Sequence, residues 1–334
     1  MQIYRFDTPT LAGLRRHEAP IPRPQRGELL LRVRAVALNY RDLALLEGGL
    51  LQPRLKGAVP TSDAAAEVVE VGEEVDDFTP GERVIGLFHP RWLGGPKRRE
   101  RAIGSYGYDR DGWLAEYKVV PREAVVRLPA ELSDEQGATL PCAAVTAWNA
   151  VSGVGPGQTV LTLGSGGVSV FALQYAKAMG ARVIATTSSA AKAERLRALG
   201  ADAVINYREV PAWAEQVKAL TAGQGVERVV EVGGPATIGQ SLQAVAFHGE
   251  VVLVGFLGEA GAPLDYFELM GAGASLRSTN VGDRPMLEAC VQATASAGIA
   301  PVIDRVFAFD EARAAFEHLA SGRHFGKVVV RVGA

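Results

Sequence analysis

The chain has 334 residues, 48% of them apolar, and a formal net charge of −2. A length of this order favours two domains, and the balanced charge gives no electrostatic signature of nucleic-acid or membrane-surface binding. Two cysteines, Cys142 and Cys290, make no disulfide framework, and no apolar run resembles a signal peptide or a membrane span. The composition therefore predicts a cytoplasmic protein without nucleic-acid or membrane partners.

Short strand patterns dominate the first 125 or so residues. Apolar residues recur there at strand-like spacing, and Gly or Pro separates the runs. The predicted strands are residues 29–37, 67–71, 83–88 and 115–120. This spacing predicts a small barrel-like β domain.

Beyond about residue 131, strands alternate with helices. The predicted strands are residues 159–163, 182–186, 203–205, 226–232 and 250–254, and the predicted helices are residues 170–179, 190–199 and 210–220. This alternation predicts an α/β fold with a doubly wound parallel sheet. Helices over 285–297 and 310–321 then precede a strand over 327–332, which we expect to rejoin the first domain.

A glycine-rich turn follows the first predicted strand of the second region. It reads Gly164-Ser165-Gly166-Gly167-Val168-Ser169. Gly164 permits a tight turn, and Gly166 lets the backbone approach a pyrophosphate at the N-terminus of the next helix. Because the flanking strands and helix have the matching spacing, we interpret the turn as dinucleotide-binding rather than as a plain glycine-rich loop.

The turn is one of several markers that run nearly from end to end. They are residues 38–42, 60–69, 140–148, 164–169, 199–202, 205–207 and 325–329. With these markers the chain resembles the medium-chain dehydrogenase/reductase superfamily, in its zinc-free quinone-oxidoreductase-like and alcohol-dehydrogenase-like branch. The resemblance implies a GroES-like β-barrel domain over 1–130 and 285–334, a Rossmann domain over 131–284, a nicotinamide cofactor in the cleft, and homodimers joined at the sheet edges.

The chain departs from the zinc-dependent members of that superfamily. They hold a catalytic zinc ion with Cys, His and Cys, and the corresponding positions here are Asn39, Ser62 and Cys142. Residues 90–110, where some relatives carry a structural-zinc lobe, contain no cysteine. Since zinc prefers about four N, S or carboxylate ligands, we predict no metal site and interpret Cys142 as a small apolar residue.

Without a metal, reducing an isolated ketone needs another strong electrophilic group. A quinone, enone or alkenal is easier to reduce, because the added charge spreads onto an enolate oxygen that a few hydrogen-bond donors can stabilise. By position in the resemblance, the catalytic candidates are Asn39, Tyr40 and Arg41, with packing as the alternative for Tyr40. Asp42 is expected to cap the backbone, and Asp63 to pair with a neighbouring donor.

The strand end after the glycine turn predicts NADP(H) as the cofactor. NAD-type sites place an acidic residue about 20 residues after the turn, where it binds the ribose 2′-hydroxyl. Here Thr187 and Ser188 offer hydroxyls and Lys192 a positive charge, although a helix-capping serine and an exposed lysine would look the same. The resemblance adds the cofactor contacts Tyr207, Thr146, Gly255, Phe256, Thr279 and Val281.

A long segment, residues 89–113, carries Trp92, Tyr106, Tyr108 and Trp113. It is either a binding loop for a flat apolar substrate or a loop packed down by its aromatic rings. The sequence as a whole predicts an NADPH-dependent reductase of small activated carbonyl compounds. The alternatives are a zinc-independent NADP-linked alcohol dehydrogenase or carbonyl reductase, and a cofactor-binding structural or regulatory protein with little turnover.

Overall fold

The computed structural model describes residues 1–46, 57–98, 104–257 and 264–333. The chain forms two compact units. The first comprises Met1–Val145 and Val281–Ala334, and the second comprises Thr146–Asn280. No helix within the described ranges is long and apolar enough to cross a membrane.

Strands outnumber α-helices in the described residues before β8, and the two alternate from there to the last strand. The strands are β1 (Gln2–Phe6), β2 (Leu14–Glu18), β3 (Glu28–Leu38), β4 (Asp63–Val71), β5 (Arg83–Gly86), β6 (Tyr117–Pro121), β7 (Val125–Arg127), β8 (Thr159–Thr162), β9 (Arg182–Thr187), β10 (Ala203–Asn206), β11 (Val226–Glu231), β12 (Val245–Leu253), β13 (Ser275–Ser278), β14 (Ile303–Phe307) and β15 (Lys327–Arg331). The α-helices are α1 (Tyr40–Ala44), α2 (Asp134–Ala138), α3 (Val145–Ala150), α4 (Gly167–Ala178), α5 (Ala190–Ala198), α6 (Trp213–Leu220), α7 (Ile238–Ala244), α8 (Tyr266–Ala272), α9 (Arg284–Ser296) and α10 (Ala312–Ala320).

The first unit is built around the long strand β3. Its main sheet has the strand order β14-β15-β3-β4-β5-β7 among the described residues, and β6 also pairs with β3. All the apolar residues of β3 are buried, and β15, β4 and β6 pair with it in antiparallel fashion. The predicted return of the last strand to the first domain is confirmed, since Val330 lies opposite Val36.

The segment 131–145 packs with the first unit, although the sequence placed the domain boundary near residue 130. Helix α2 contacts β3 and β4. The side chain of Arg83 donates to Asp134 Oδ1 (2.9 Å) and to the carbonyl oxygen of Leu132. These contacts hold the segment to the β strands, so the second unit begins at Thr146.

The second unit is a parallel sheet with the order β10-β9-β8-β11-β12-β13 among the described residues. Strand β8 lies where the order reverses, and its four residues are buried. In open parallel sheets, ligands bind at the carboxyl ends of the strands beside this reversal. The predicted α/β fold with a doubly wound sheet is confirmed.

Several element boundaries differ from the predicted ones for local reasons. Helix α4 starts at Gly167 rather than residue 170, because Gly166 already takes the N-cap position. Helix α6 starts at Trp213 rather than residue 210, since Pro211 disfavours helical backbone in the residue before it. Strand β12 starts at Val245 rather than residue 250, because Val245 already pairs with Val226 ahead of a register shift in the β11–β12 ladder.

The aromatic side chains of segment 89–113 mostly pack into the first unit. Trp92, Tyr106 and Trp113 are buried, and the Tyr106 and Trp113 rings meet edge to face at 5.2 Å. The ammonium of Lys118 lies 4.6 Å from the Tyr106 ring centroid. These contacts favour the packing interpretation, while residues 99–103 of the segment lie outside the described residues.

Candidate active site

The glycine-rich turn connects the carboxyl end of β8 to α4. Gly164 has a φ of +76°, a left-handed conformation that glycine adopts without strain. Its N–H donates to Thr186 Oγ1 near the end of β9 (3.2 Å). Gly166 precedes α4, and no heavy atom lies within 4 Å of the position that a Cβ on it would take. The turn is thus an open cradle at a helix N-terminus, which suits a pyrophosphate.

The remaining residues of the turn complete this cradle. Ser165 is buried within it, and Gly167 and Val168 begin α4. Ser169, at the position where a third glycine is usual, is buried and donates its hydroxyl to the Leu163 carbonyl oxygen (2.6 Å). The serine therefore replaces close glycine packing with a hydrogen bond between helix and strand.

The ends of β9 and β10 bring together the residues predicted near the ribose. The N–H of Tyr207 donates to the Thr187 carbonyl oxygen (2.9 Å), and the Tyr207 side chain is exposed. Ser189 rather than Ser188 caps α5, accepting from the N–H of Lys192 (3.5 Å). Ser188 is thus not the helix cap, and Lys192 lies in the first turn of α5.

The other predicted cofactor residues lie at the far side of the parallel sheet and around it. Gly255 and Phe256 follow β12, and the N–H of Gly255 donates to the Glu231 carbonyl oxygen (3.2 Å). The N–H of Thr279 donates to the Leu253 carbonyl oxygen (3.0 Å).

Thr146 is buried in α3, and Val281 has a φ of +50°, which is rare for a β-branched residue.

Three buried threonine hydroxyls in the second unit have no hydrogen-bond partner among the described residues. They belong to Thr162 at the end of β8, Thr187 at the end of β9, and Thr279 directly after β13. Buried polar groups are nearly always hydrogen-bonded. Unpaired hydroxyls at the carboxyl ends of these parallel strands therefore point to a polar ligand. With the cradle at Gly166, these residues fit a nicotinamide dinucleotide.

In the first unit, a chain of polar side chains joins the end of β3 to the start of β4 and β15. Lys327 is buried, and its ammonium donates to the Leu38 carbonyl oxygen (2.6 Å) and to Asn39 Oδ1 (2.5 Å). Asn39 Nδ2 faces Ser62 Oγ at 3.5 Å, and Ser62 Oγ donates to Asp63 Oδ1 (2.6 Å). We call these four residues, Lys327, Asn39, Ser62 and Asp63, the polar relay.

The π-helical turn Leu140–Ala144 closes the relay. The N–H of Cys142 donates to Asp63 Oδ2 (3.1 Å), so Asp63 does pair with neighbouring donors as predicted. Burial raises the pKa of Asp63, and the Lys327 ammonium and the Ser62 hydroxyl oppose that rise. Burial, reinforced by Asp63, also raises the pKa of the partly buried Cys142 thiol.

The residues at this position do not fit a zinc ion. The amide oxygen of Asn39 is bonded to an ammonium, the Ser62 hydroxyl is bonded to a carboxylate, and the Cys142 thiol has a raised pKa that disfavours thiolate. Within the part of the chain that the structure describes, no group of three or more His, Cys, Asp or Glu side chains can hold a metal.

The neighbouring candidates Tyr40 and Arg41 differ in their surroundings. The Tyr40 side chain, in α1, is exposed. The Arg41 guanidinium donates to the Tyr106 carbonyl oxygen (2.9 Å) and to Ser105 Oγ (3.1 Å), which holds the loop at Ser105 against α1. Asp42 accepts from the N–H of Asn39 (2.8 Å), the backbone-capping role expected for it, and burial raises its pKa to about 6.

Sequence reasoning missed two residues near these candidates. Lys327 was predicted only as part of a strand, and its register position opposite the end of β3 comes from tertiary pairing. His89 is buried, its Nδ1 lies 3.2 Å from the Gly104 carbonyl oxygen, and its Nε2 has no partner among the described residues. A lone histidine in a glycine-rich segment carries no sequence signal that could have identified it.

Two family models match the chain, one for each unit. A model described as an alcohol dehydrogenase GroES-like domain matches residues 25–130. A model described as a zinc-binding dehydrogenase matches residues 167–297. Together they cover most of both units and support the pairing of a GroES-like domain with a Rossmann domain.

Individual proteins match over nearly the whole length. The zinc-type alcohol dehydrogenase-like protein C1773.06c of Schizosaccharomyces pombe is 40% identical, with 92% of this chain and 91% of that protein covered. Acryloyl-coenzyme A reductase of Metallosphaera sedula is 29% identical, with 95% and 96% covered. A crystal structure of an NAD-dependent alcohol dehydrogenase matches with a TM-score of 0.92 and 31% identity over 100% of both chains. The chain therefore belongs to the medium-chain dehydrogenase/reductase superfamily and is an oxidoreductase.

Proposed function

We propose that this protein is a zinc-independent, NADPH-dependent reductase of small activated carbonyl compounds: quinones, enones or alkenals. The observation that carries the proposal is the polar relay, in which Asn39 and Ser62 stand at two of the three positions where zinc-dependent relatives hold their metal. A fixed ammonium and an amide donor there can stabilise a delocalised enolate, whereas an isolated alkoxide calls for a stronger Lewis acid.

The end of β9 supports NADPH over NADH. A 2′-phosphate needs donors and positive charge, and Thr187, Ser188 and Lys192 supply both, with no acidic residue between Val183 and Ala193. Lys192 lies in the first turn of α5, where the helix dipole disfavours a cation. This placement puts a positive charge in the helix that follows the end of β9, where the 2′-phosphate would lie.

In the proposed reaction, Asn39 and Tyr40 of the first unit have different roles. When bound, the reduced nicotinamide supplies a hydride. As the β-carbon of the acceptor gains that hydride, the π electrons move onto the carbonyl oxygen, and one N–H of Asn39 donates to this oxygen in place of its long contact with Ser62. The resulting enolate takes one proton from solvent or from Tyr40, which gives the saturated carbonyl product.

The names of two relatives each favour a different one of the candidate functions. Acryloyl-coenzyme A, named as the substrate of the Metallosphaera sedula protein, has a double bond conjugated to a carbonyl, as the proposed acceptors do. The Schizosaccharomyces pombe protein is named as alcohol dehydrogenase-like, which favours the second candidate, an NADP-linked alcohol dehydrogenase or carbonyl reductase.

The test is a substrate panel assayed with the purified chain. Quinones, enones and alkenals with NADPH are compared with saturated ketones under the same conditions, and with simple alcohols in the presence of NADP⁺. The proposal expects turnover of the conjugated acceptors well above that of the saturated ones. Preferential turnover of alcohols would favour the second candidate, and tight NADPH binding without turnover on any compound would indicate a structural or regulatory role.

Gly166→Val is the matched control for this panel. The φ of Gly166 is −79°, a value that any residue can adopt. No protein atom lies within 4 Å of the position that the valine Cβ would take. The variant should therefore fold like the wild type but fill the pyrophosphate cradle. Loss of NADPH binding and turnover at an unchanged unfolding temperature would tie the activity to this cradle.

A further inference from the structure

We propose that the buried carboxylate of Glu231 favours the oxidised form of the nicotinamide cofactor, whose ring carries a positive charge that the reduced form lacks. The inference deepens the proposed function and rests on its nicotinamide cofactor, but not on the choice of acceptor. Glu231 is the last residue of β11 in the second unit, and its side chain is fully buried.

The parallel sheet places Glu231 at the edge where the cofactor is expected. Val230 lies opposite Thr162 in the pairing of β11 with β8, and Glu231 lies opposite Leu253 in the pairing with β12. The carboxyl ends of parallel strands meet at one edge of the sheet. Glu231 therefore shares this edge with the glycine-rich turn and with the unpaired hydroxyls of Thr162 and Thr279.

The order of the strands determines which half of the dinucleotide is expected near Glu231. The turn after β8 suits the pyrophosphate, and the end of β9, on one side of β8, carries the residues predicted to bind the 2′-phosphate of the adenosine half. Strands β11, β12 and β13 lie on the other side of β8. The nicotinamide half is therefore expected on the side of the sheet to which Glu231 belongs.

Four donors surround the Glu231 carboxylate. Oε1 accepts from the N–H groups of Gly233 (2.7 Å) and Gly234 (3.0 Å) and from the Thr237 hydroxyl (2.6 Å), and Oε2 accepts from the Ser241 hydroxyl. Hydrogen bonds of this kind stabilise the charged form of a carboxyl group. All four donors are neutral, and no cationic side chain pairs with the carboxylate among the described residues, so its negative charge is not compensated.

A buried charge acts more strongly on a neighbouring ligand than an exposed one, because less water screens it. An uncompensated carboxylate attracts the cationic ring of NADP⁺ and has little effect on the neutral ring of NADPH. In the proposed reduction, hydride transfer to the acceptor creates this positive charge on the ring. The same attraction therefore also favours hydride transfer in that direction.

A purely structural role of Glu231 is the competing explanation. The carboxylate holds the turn at Gly234, and a Cβ on this glycine would lie only 3.0 Å from the Phe256 Cα, so the turn packs closely against the segment after β12. Loss of the hydrogen bonds would weaken the binding of both cofactor forms to the same extent. Loss of the charge alone would weaken only the binding of NADP⁺.

The variant Glu231→Gln separates the two explanations, since its amide keeps an oxygen for the three donors on Oε1 but carries no charge. Isothermal titration calorimetry with the intact chain should show the Kd for NADP⁺ rising about tenfold and the Kd for NADPH changing by less than about twofold. Glu227→Gln is the matched control, because it removes a carboxylate at the amino end of the same strand, where Glu227 accepts from the N–H of Thr159. It should leave both Kd values unchanged.

If Glu231→Gln does not fold because its NH2 group meets the Ser241 hydroxyl, combining it with Ser241→Ala removes that hydroxyl. The double variant should then show the same selective loss of NADP⁺ binding relative to Ser241→Ala alone. Equal rises in both Kd values, or a ratio of the two that stays as in the wild type, would overturn the electrostatic role alone. Absence of NADP⁺ and NADPH binding to the wild type would overturn the proposed function and this inference together.

Discussion

Replacing His89 by phenylalanine should change how the stability of the protein depends on pH. The pKa of His89 is lowered from its ordinary value of 6.5 to about 4, mainly by burial and also by the cations Lys97 and Arg41, while the hydrogen bond to Gly104 opposes the shift. Because the Gly104 carbonyl only accepts, Nδ1 carries the hydrogen, and protonation would place a second one on Nε2, which has no partner among the described residues.

The sign and size of the effect follow from these values. The folded chain favours the neutral ring, so this stabilising contribution is complete above pH 6.5 and is lost as the pH falls towards about 4. At about 1.4 kcal/mol per pKa unit, the loss is on the order of 3 kcal/mol. Asp42 works in the opposite direction, since its raised pKa makes the folded chain less stable as the pH rises through about 6.

Urea unfolding of the wild type and of His89→Phe between pH 8 and pH 4 measures this contribution. The titration of Asp42 is common to both proteins and cancels in their difference. The variant should gain on the wild type by about 3 kcal/mol as the pH falls over this range. A difference in unfolding free energy that stays constant with pH would show that His89 does not titrate as its surroundings require.

Four further predictions address the cofactor, the donors, the metal and the assembly. Lys192→Glu should reduce the preference for NADPH over NADH, measured as the ratio of kcat/KM values, by about tenfold or more, and an unchanged ratio would exclude a phosphate contact. Tyr40→Phe should lower kcat while leaving the Kd for NADPH unchanged, and a fall smaller than about twofold would remove Tyr40 as a proton donor. Elemental analysis should find no stoichiometric zinc, and chelators should leave turnover intact; one zinc per chain, lost together with activity, would contradict this. The exposed rings of Phe247, Tyr266 and Phe267 lie on β12 and α8, next to the edge strand β13, so we expect a homodimer that uses this surface. Phe267→Asp should convert the dimer to monomers, as measured by light scattering.

Local patterns predicted five of the six strands described in the parallel sheet and missed the edge strand β13. The apolar run at β8, the glycine turn and α4 are contiguous in the chain, so their spacing predicts both the fold and the pyrophosphate cradle. The boundaries were less accurate where a tertiary contact decided them. Residues 131–145 belong to the first unit because the side chains of Arg83 and Asp134 bind each other, and no local sequence pattern reveals that pair.

The relay could be predicted only in part. Asn39, Ser62 and Asp63 were found because they stand at positions with known roles in the superfamily. Lys327 was not, since a lysine at the start of an apolar strand looks like the polar end of that strand. It becomes a site residue only when β15 pairs with β3 and brings together residues 288 positions apart.

The pairing of β15 with β3 also bears on the order in which the protein can form during synthesis. The second unit is one continuous segment, Thr146–Asn280, and can fold as soon as it has left the ribosome. The first unit is divided around it, so residues 35–38 of β3 keep an unpaired edge until β15 has been made. The acidic residue Asp63 likewise lacks its main cation until Lys327 has been made. Nascent chains are thus most open to strand-edge aggregation while the parallel unit is already folded, and a chaperone that shields β3 would act in this interval.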